Sequence, residues 1–245
     1  MCGRYAATLP PEMMVELFRL LNSIEFPPRY NITPTQPIAA IWQQEGQRTV
    51  QLVRWGLIPG WVKDPRTFPL VFNARSEGMI EKPAFRTAIR NSRCVIPASG
   101  YFEWMKDENG KRRPYYITLA NGEPMAFAGL YSNWMGPNGE EQDTAAIVTV
   151  EPNLEISSIY DRMPAILEGQ AIEDWLNTGE VGALEAASLA KPPEAGAMKY
   201  HPVGKAVGRA DAEGPELIEP IDPNIDVEED PRRRKKVANG QLSLF

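Results

Sequence analysis

Arg93-Cys94-Val95-Ile96-Pro97-Ala98-Ser99-Gly100-Tyr101-Phe102-Glu103-Trp104 carries an apolar strand, residues 93–96, through a proline and a glycine into a carboxylate set between two aromatics. A short apolar run bounded by Pro and Gly reads as a buried strand. The same signature recurs on both sides of it, at 38–42, 50–58, 115–119, 125–134 and 145–150. Helical periodicity is clearest over 11–21, where Pro11 opens the run and Met14, Leu17, Phe18 and Leu21 recur at three- and four-residue steps. Short helices are expected over 168–176 and 181–190. Strands do not alternate regularly with helices, which disfavours a doubly wound parallel sheet. The expected fold class is α+β, with a mostly antiparallel, barrel-like β core flanked by short helices.

With 245 residues, 43% of them hydrophobic and 24% charged, the chain can bury one full core. A single domain over 1–210 is expected, followed by a tail over 211–245. From Asp211 the composition turns to Glu, Asp and Pro with scattered aliphatics, so the tail cannot offset its ordering entropy by burial and is expected to be disordered. The net charge of -6 belongs mostly to that tail, and a near-neutral core can still present an arginine-lined groove. No run of 18 apolar residues and no secretory leader is apparent, so a cytoplasmic, membrane-free protein is expected, associated with the nucleoid or replication fork; a monomer is expected. Cys2 and Cys94 are the only cysteines and His201 the only histidine. No disulfide framework, metal site or cofactor is therefore expected. Cys94 lies in an apolar strand and is assigned no chemistry.

Cys2 differs from Cys94 in one chemical respect. Gly3 and Cys2 are both small enough for Met1 to be removed, leaving an α-amine and a β-thiol on one residue. An α-amine, with an ordinary pKa of about 7.7–8.0, condenses with an aldehyde to an imine near neutrality. The tethered thiol can then close on the imine carbon to a five-membered thiazolidine, gaining the advantage of proximity.

Six segments extend this reading: Cys2-Gly3-Arg4-Tyr5, the run from Tyr30 to Gln36, the tryptophan turn from Trp55 to Trp61, Asn73-Ala74-Arg75-Ser76-Glu77, the segment quoted first, and Asp161-Arg162-Met163-Pro164. Together, in this order and over residues 2–208, they resemble the SRAP family, the SOS-response-associated peptidases understood as abasic-site-processing proteins. The resemblance implies a protein that senses abasic sites in single-stranded DNA and forms a covalent thiazolidine crosslink through Cys2, shielding the lesion during replication. It implies that Asn73 holds the N-terminal residue or the opened sugar and that Glu103 moves protons. Arg4, Arg75 and Arg162 would bind the flanking phosphates, and Trp61 and Trp104 would stack on or wedge the strand. One departure stands out: the family usually has His before the Asp-Arg-Met-Pro segment, and here that position is Tyr160. A phenol, with an ordinary pKa of about 10, can donate a proton but is a poor base at neutral pH.

Two other classes compete with this one. A cysteine-type peptidase acting through Cys2, limited to cleaving Met1 in the narrowest case, lacks a histidine at an evident spacing. A noncovalent single-strand-binding or clamp-associated adaptor would need no reactive terminus at all.

The chain ends Gln241-Leu242-Ser243-Leu244-Phe245, which looks like the peptide by which bacterial proteins dock on the replication sliding clamp. Gln supplies polar recognition, Leu and Phe suit an apolar pocket, and the preceding segment serves as a tether. The basic run 232–236 adds nonspecific attraction to DNA phosphates. Deleting residues 241–245 is expected to abolish retention of the sliding clamp in a pull-down; undiminished retention would remove the docking assignment.

Overall fold

A computed structural model describes residues 2–108 and 110–222. The clamp-like peptide and the basic run lie outside the described residues. In chain order the elements are β1 (Tyr5–Ala7), α1 (Pro11–Phe18), β2 (Arg29–Ile32), β3 (Pro37–Gln44), β4 (Gln47–Trp55), β5 (Asn73–Arg75), α2 (Ala88–Asn91), β6 (Arg93–Ala98), β7 (Gly100–Lys106) and β8 (Arg112–Leu119). They continue with β9 (Met125–Met135), β10 (Glu141–Val150), β11 (Met163–Pro164), β12 (Ile166–Leu167), α3 (Gln170–Leu176), α4 (Ala183–Leu189) and β13 (Met198–Pro202). Among the described residues, no helix is long and apolar enough to cross a membrane.

The architecture is α+β. Strands β10, β4, β3, β6 and β9 pair in that order, and β9 pairs back to β10, closing a five-stranded barrel. Every barrel pairing is antiparallel except β10 with β4, where Thr144 and Ala145 lie opposite Arg54 and Trp55. Closure leaves no open edge within the ring. A second sheet, ordered β13-β8-β7-β1-β2, lays one face against the barrel. Alternation along β1 and β7 divides its residues between two cores. Tyr5 and Tyr101 face the main core, while Ala6, Phe102 and Tyr116 face a smaller one closed by Val203, Val207, Ala212 and Leu217.

Three expectations change. The helix starting at Pro11 stops at Phe18, because Arg19 turns left-handed at φ 53° and the chain then bridges from Leu20 to Arg48. Leu17 and Leu21 are consequently exposed, leaving Met14 and Phe18 as the buried stripe. The strand expected over 50–58 ends at Trp55, where Gly56 at φ 143° turns the chain. A side chain there would be strained and would meet Arg54 Nη1 and Leu70 Cδ1, each at 2.7 Å. The third change is at the expected boundary near 210. Residues 211–222 fold back: Ala212 and Leu217 are buried, Glu213 pairs with Arg29 at 3.1 Å, and Asn31 Nδ2 donates to Ala212 O at 2.7 Å. Their few aliphatics are enough because each finds the preformed outer face of the second sheet.

Cys94 packs as a small apolar group, its Sγ 2.7 Å from where a Cβ on the opposing Gly129 would sit. Its neighbour Arg93 is 1% exposed, and among the described residues no carboxylate pairs with it. Its guanidinium instead donates to the carbonyls of Ile89, Trp175, Asn177 and Val181, gathering the C-terminal ends of α2 and α3 onto β6. Burial holds its pKa down to about 10. Arg93→Met keeps the apolar stem and orphans four buried acceptors, so a loss of about 3 kcal/mol or more is expected. Thermal unfolding should fall by about 6–12 °C at this chain length; an unchanged midpoint would show that water replaces these bonds.

Candidate active site

The pairing of β1 with β7 brings the start of the chain into the seam between the two sheets. Tyr5 lies opposite Tyr101, and Phe102 N donates to Arg4 O at 2.9 Å. The ladder thereby delivers Cys2, 0% exposed, to the main core. From the barrel side β5 runs parallel to β10, with Asn73 opposite Ile147, and Asn73 Nδ2 donates to Cys2 O at 2.9 Å. The Asn73 Oδ1 is buried and, among the described residues, without a hydrogen-bond partner.

Glu103, 3% exposed, shares a face of β7 with Tyr101. Burial pushes its carboxyl from an ordinary 4.5 up to about 7, against the pull of the chain's charged amino terminus and the Trp104 N–H. Burial also raises the Cys2 thiol far above its usual range, and the Glu103 charge raises it further. The buried sulfur is thus a thiol, beside a carboxylate poised near neutrality. Tyr160 completes the group. Burial first, then the Glu103 and Asp161 charges, raises its phenol, while Arg112 and Arg75 act in the opposite sense. An open cleft of about 410 Å³ adjoins the group at Tyr160, lined also by Trp104, Lys106, Arg112, Ser158, Ile159 and Asp161.

Cys2, Asn73, Glu103 and Tyr160, expected to act together, are therefore brought together, and Trp104 and Arg75 border them. Arg4 stands over the Trp104 ring at 5.7 Å, but its Nη1 already donates to Asn31 Oδ1 and to the carbonyls of Val207 and Arg209. Arg162 is not an open phosphate ligand. Its fork takes Glu77 at 2.6 and 3.1 Å and Thr149 O at 2.5 Å, with its side chain 10% exposed. A guanidinium this buried stays charged at least cost with a carboxylate in place, so Arg162 ties the segment after β5 to β10. Trp61 belongs to a separate depression, 59% exposed, edge-on to Phe68 and donating to Pro83 O. His201 contacts Ile218 O at 2.9 Å and the edge of Tyr116.

Lys106 and Arg112 escaped the motif reading. They lie opposite each other where the β7–β8 hairpin opens, and the sequence signal for them was the Asn-Gly pair at 109–110, a hairpin cue, between basic residues.

A family model described as SOS response associated peptidase (SRAP) matches residues 1–210. The abasic site processing protein YoqW of Bacillus subtilis is 36% identical over 222 residues, covering 89% of this chain and 99% of that protein. The abasic site processing protein YedK of Escherichia coli is 31% identical over 229 residues, 90% of this chain and 100% of that protein. A crystal structure of a protein from Bacteroides thetaiotaomicron superposes with a TM-score of 0.79 at 28% identity, covering 90% of this chain and 100% of that one.

Unfolded, Glu103 loses its proton near 4.5; folded, it keeps it to about 7. The folded state binds the extra proton between these values, so this group's contribution to stability falls as pH rises through the window and is lowest above 7. Glu103→Gln should match the parent near pH 4.5 and gain about 3 kcal/mol on it above pH 7. Denaturant titrations at pH 4.5 and 8 check this; a constant difference across pH would refute it.

Proposed function

The chain belongs to the SOS response associated peptidase (SRAP) family, and on that premise we propose that it processes abasic sites in single-stranded DNA by covalent capture through Cys2. The observation that carries the reading is the burial of Cys2 between Asn73 and the neutral-range carboxyl of Glu103.

Removal of Met1 turns the Cys2 amide nitrogen into a free amine. The amine adds to the C1′ aldehyde of the ring-opened sugar, and the resulting carbinolamine loses water to an iminium as Glu103 supplies the proton for the departing hydroxyl. The Cys2 sulfur then attacks the iminium carbon. The S–C bond forms, the C=N π pair returns to nitrogen, and the thiol proton passes to the Glu103 carboxylate. A carboxyl group with a pKa near 7 serves both directions. Asn73 fixes the Cys2 carbonyl, and hence the direction in which amine and thiol point. Tyr160 donates toward the sugar oxygen during ring opening.

Arg75, exposed at the rim, and Arg112 and Lys106 in the cleft supply charge for the flanking phosphates. Trp104 supplies a stacking face, worth about 1–3 kcal/mol per base without regard to sequence. The peptidase reading gains nothing from the geometry: the one histidine is engaged elsewhere, and the Cys2 thiol is raised rather than activated.

Met1-free protein mixed with an abasic oligonucleotide is expected to give an adduct that survives denaturation, whereas Cys2→Ser gives none that persists without reduction. Free migration of the DNA, or equal adduct from the serine variant, would refute the assignment. Tyr160→His is expected to open or release the sugar faster than the parent. Equal single-turnover rates would show that the phenol suffices.

A further inference from the structure

One apolar face plays no part in the steps above. Along α1 and just past its end, Met14 and Phe18 enter the core, while Met13, Leu17 and Leu21 recur at four-residue steps and are 52%, 51% and 63% exposed. A surface helix needs one apolar stripe, facing the core; this one carries a second that faces out. Scattered exposed side chains of this kind are ordinary, but a connected apolar surface marks a contact site. Met13 walls a hollow of about 270 Å³ with Leu9 and Pro124, and Leu17 walls another of about 230 Å³ with Leu119, Ile166 and Ile172. Glu123 and Pro124 border both hollows and join them into one surface. Its rim is acidic: Glu12, Glu16, Glu123 and Glu168 are all exposed. The nearby bases are Arg19 and Lys199, and Lys199 Nζ donates to Ala120 O at 3.3 Å. Such a rim repels nucleic acid, and two copies meeting through α1 would set acid against acid. The occupant it suits is a basic segment that ends in apolar side chains.

We propose that residues 232–245 dock on this face of their own chain, with Arg232 to Lys236 on the glutamate rim and Leu242, Leu244 and Phe245 in the two hollows. The reach is sufficient. Ile221 N donates to Pro202 O at 3.0 Å, Pro202 lies opposite Tyr115 on β8, and Leu119 at the far end of β8 walls the second hollow. Tyr115 to Leu119 is about 13 Å along a strand, and the chain over 223–240 can span as much as about 60 Å. Because the contact is intramolecular, the tether supplies an effective concentration on the order of millimolar, so individually weak contacts suffice. Docking conceals the 241–245 peptide. DNA phosphates compete with the glutamates for the same five bases, so engagement with DNA releases the segment and displays the peptide. The concealment from the sliding clamp rests on the clamp assignment made from the sequence; the docking itself does not.

Disulfide capture in the full chain tests this. Ser243→Cys is combined with Leu21→Cys at the end of the stripe or with Met135→Cys at the far end of β9; both positions are 63% exposed, and the native cysteines are buried in each. Under oxidised glutathione, the disulfide to position 21 is expected to form at least about tenfold faster than that to position 135, at a rate unchanged by dilution. Equal rates at the two positions would overturn the docking, and a faster product of doubled mass would assign the face to a second copy instead. Adding Glu12→Gln, Glu16→Gln and Glu123→Gln should slow capture at position 21 by about threefold or more, with added salt acting in the same direction; an unslowed rate would remove the rim as the seat of the basic run. The same three substitutions in the otherwise native chain should raise retention of the sliding clamp in a pull-down. Clamp retained equally by both chains would overturn the concealment. Clamp retained by neither would overturn the clamp assignment, and disulfide capture then decides the docking alone.

Discussion

The backbone ladder between β1 and β7 is the interaction from which the site descends. A chain start is ordinarily the segment least able to stay ordered, and a reactive terminal residue is of no use unless its position is fixed. Here the first residues are held by Tyr5 opposite Tyr101, by Phe102 N on Arg4 O, and by Asn73 on the Cys2 carbonyl. The ladder continues into the turn, where Ser99 N donates to Ala6 O and the Ser99 hydroxyl meets Thr8. Because side chains alternate, the same three residues of β1 that seat Cys2 inward also put Ala6 into the outer core that residues 203–217 cover. Loosening that outer cover would slacken the strand that carries the site.

The sequence was legible wherever chemistry and periodicity agreed. The β-rich α+β class followed from strand runs between Pro and Gly, and the assembly of Cys2, Asn73, Glu103 and Tyr160 from motif segments that the fold folds onto one seam. What could not be read was set by tertiary placement. Nothing local marks Arg162 as enclosed by Glu77 and Thr149, because the partner is 85 residues away. Nothing local says that the acidic stretch after 210 finds Arg29 and Asn31; its composition argues for disorder, and long-range pairing overrides composition. Lys106 and Arg112 were hidden for the opposite reason, since a hairpin of ordinary charged residues carries no motif, and only the register shows them side by side.

Arginine serves two different purposes around this seam, and burial separates them. Arg93, Arg162 and in part Arg4 spend their donors on fixed acceptors inside the protein. Each therefore sets the position of something else: helix ends, the segment after β5, or the C-terminal cover. Arg75 and Arg112 lie exposed and act on Tyr160 through space. Charges of the second kind are screened by salt and cost little to leave unpaired, which suits the phosphate-binding surface proposed above.

The two buried acids of the site, a carboxyl and a thiol, would each destabilise the fold if ionised alone, and the Glu103 charge raises the thiol further. In the proposed reaction, a single proton shared along the steps resolves the conflict. While Glu103 holds it, the carbinolamine can lose water; once Glu103 has given it up, the carboxylate can take the thiol proton as sulfur closes on carbon. In the proposed scheme burial, which is the largest cause raising both groups, sets the order of the steps: sulfur ionises as a cationic iminium stands beside it to offset the charge. A site built from exposed, ordinary acids would ionise the carboxyl outright at neutral pH, leaving no proton on it for the departing hydroxyl.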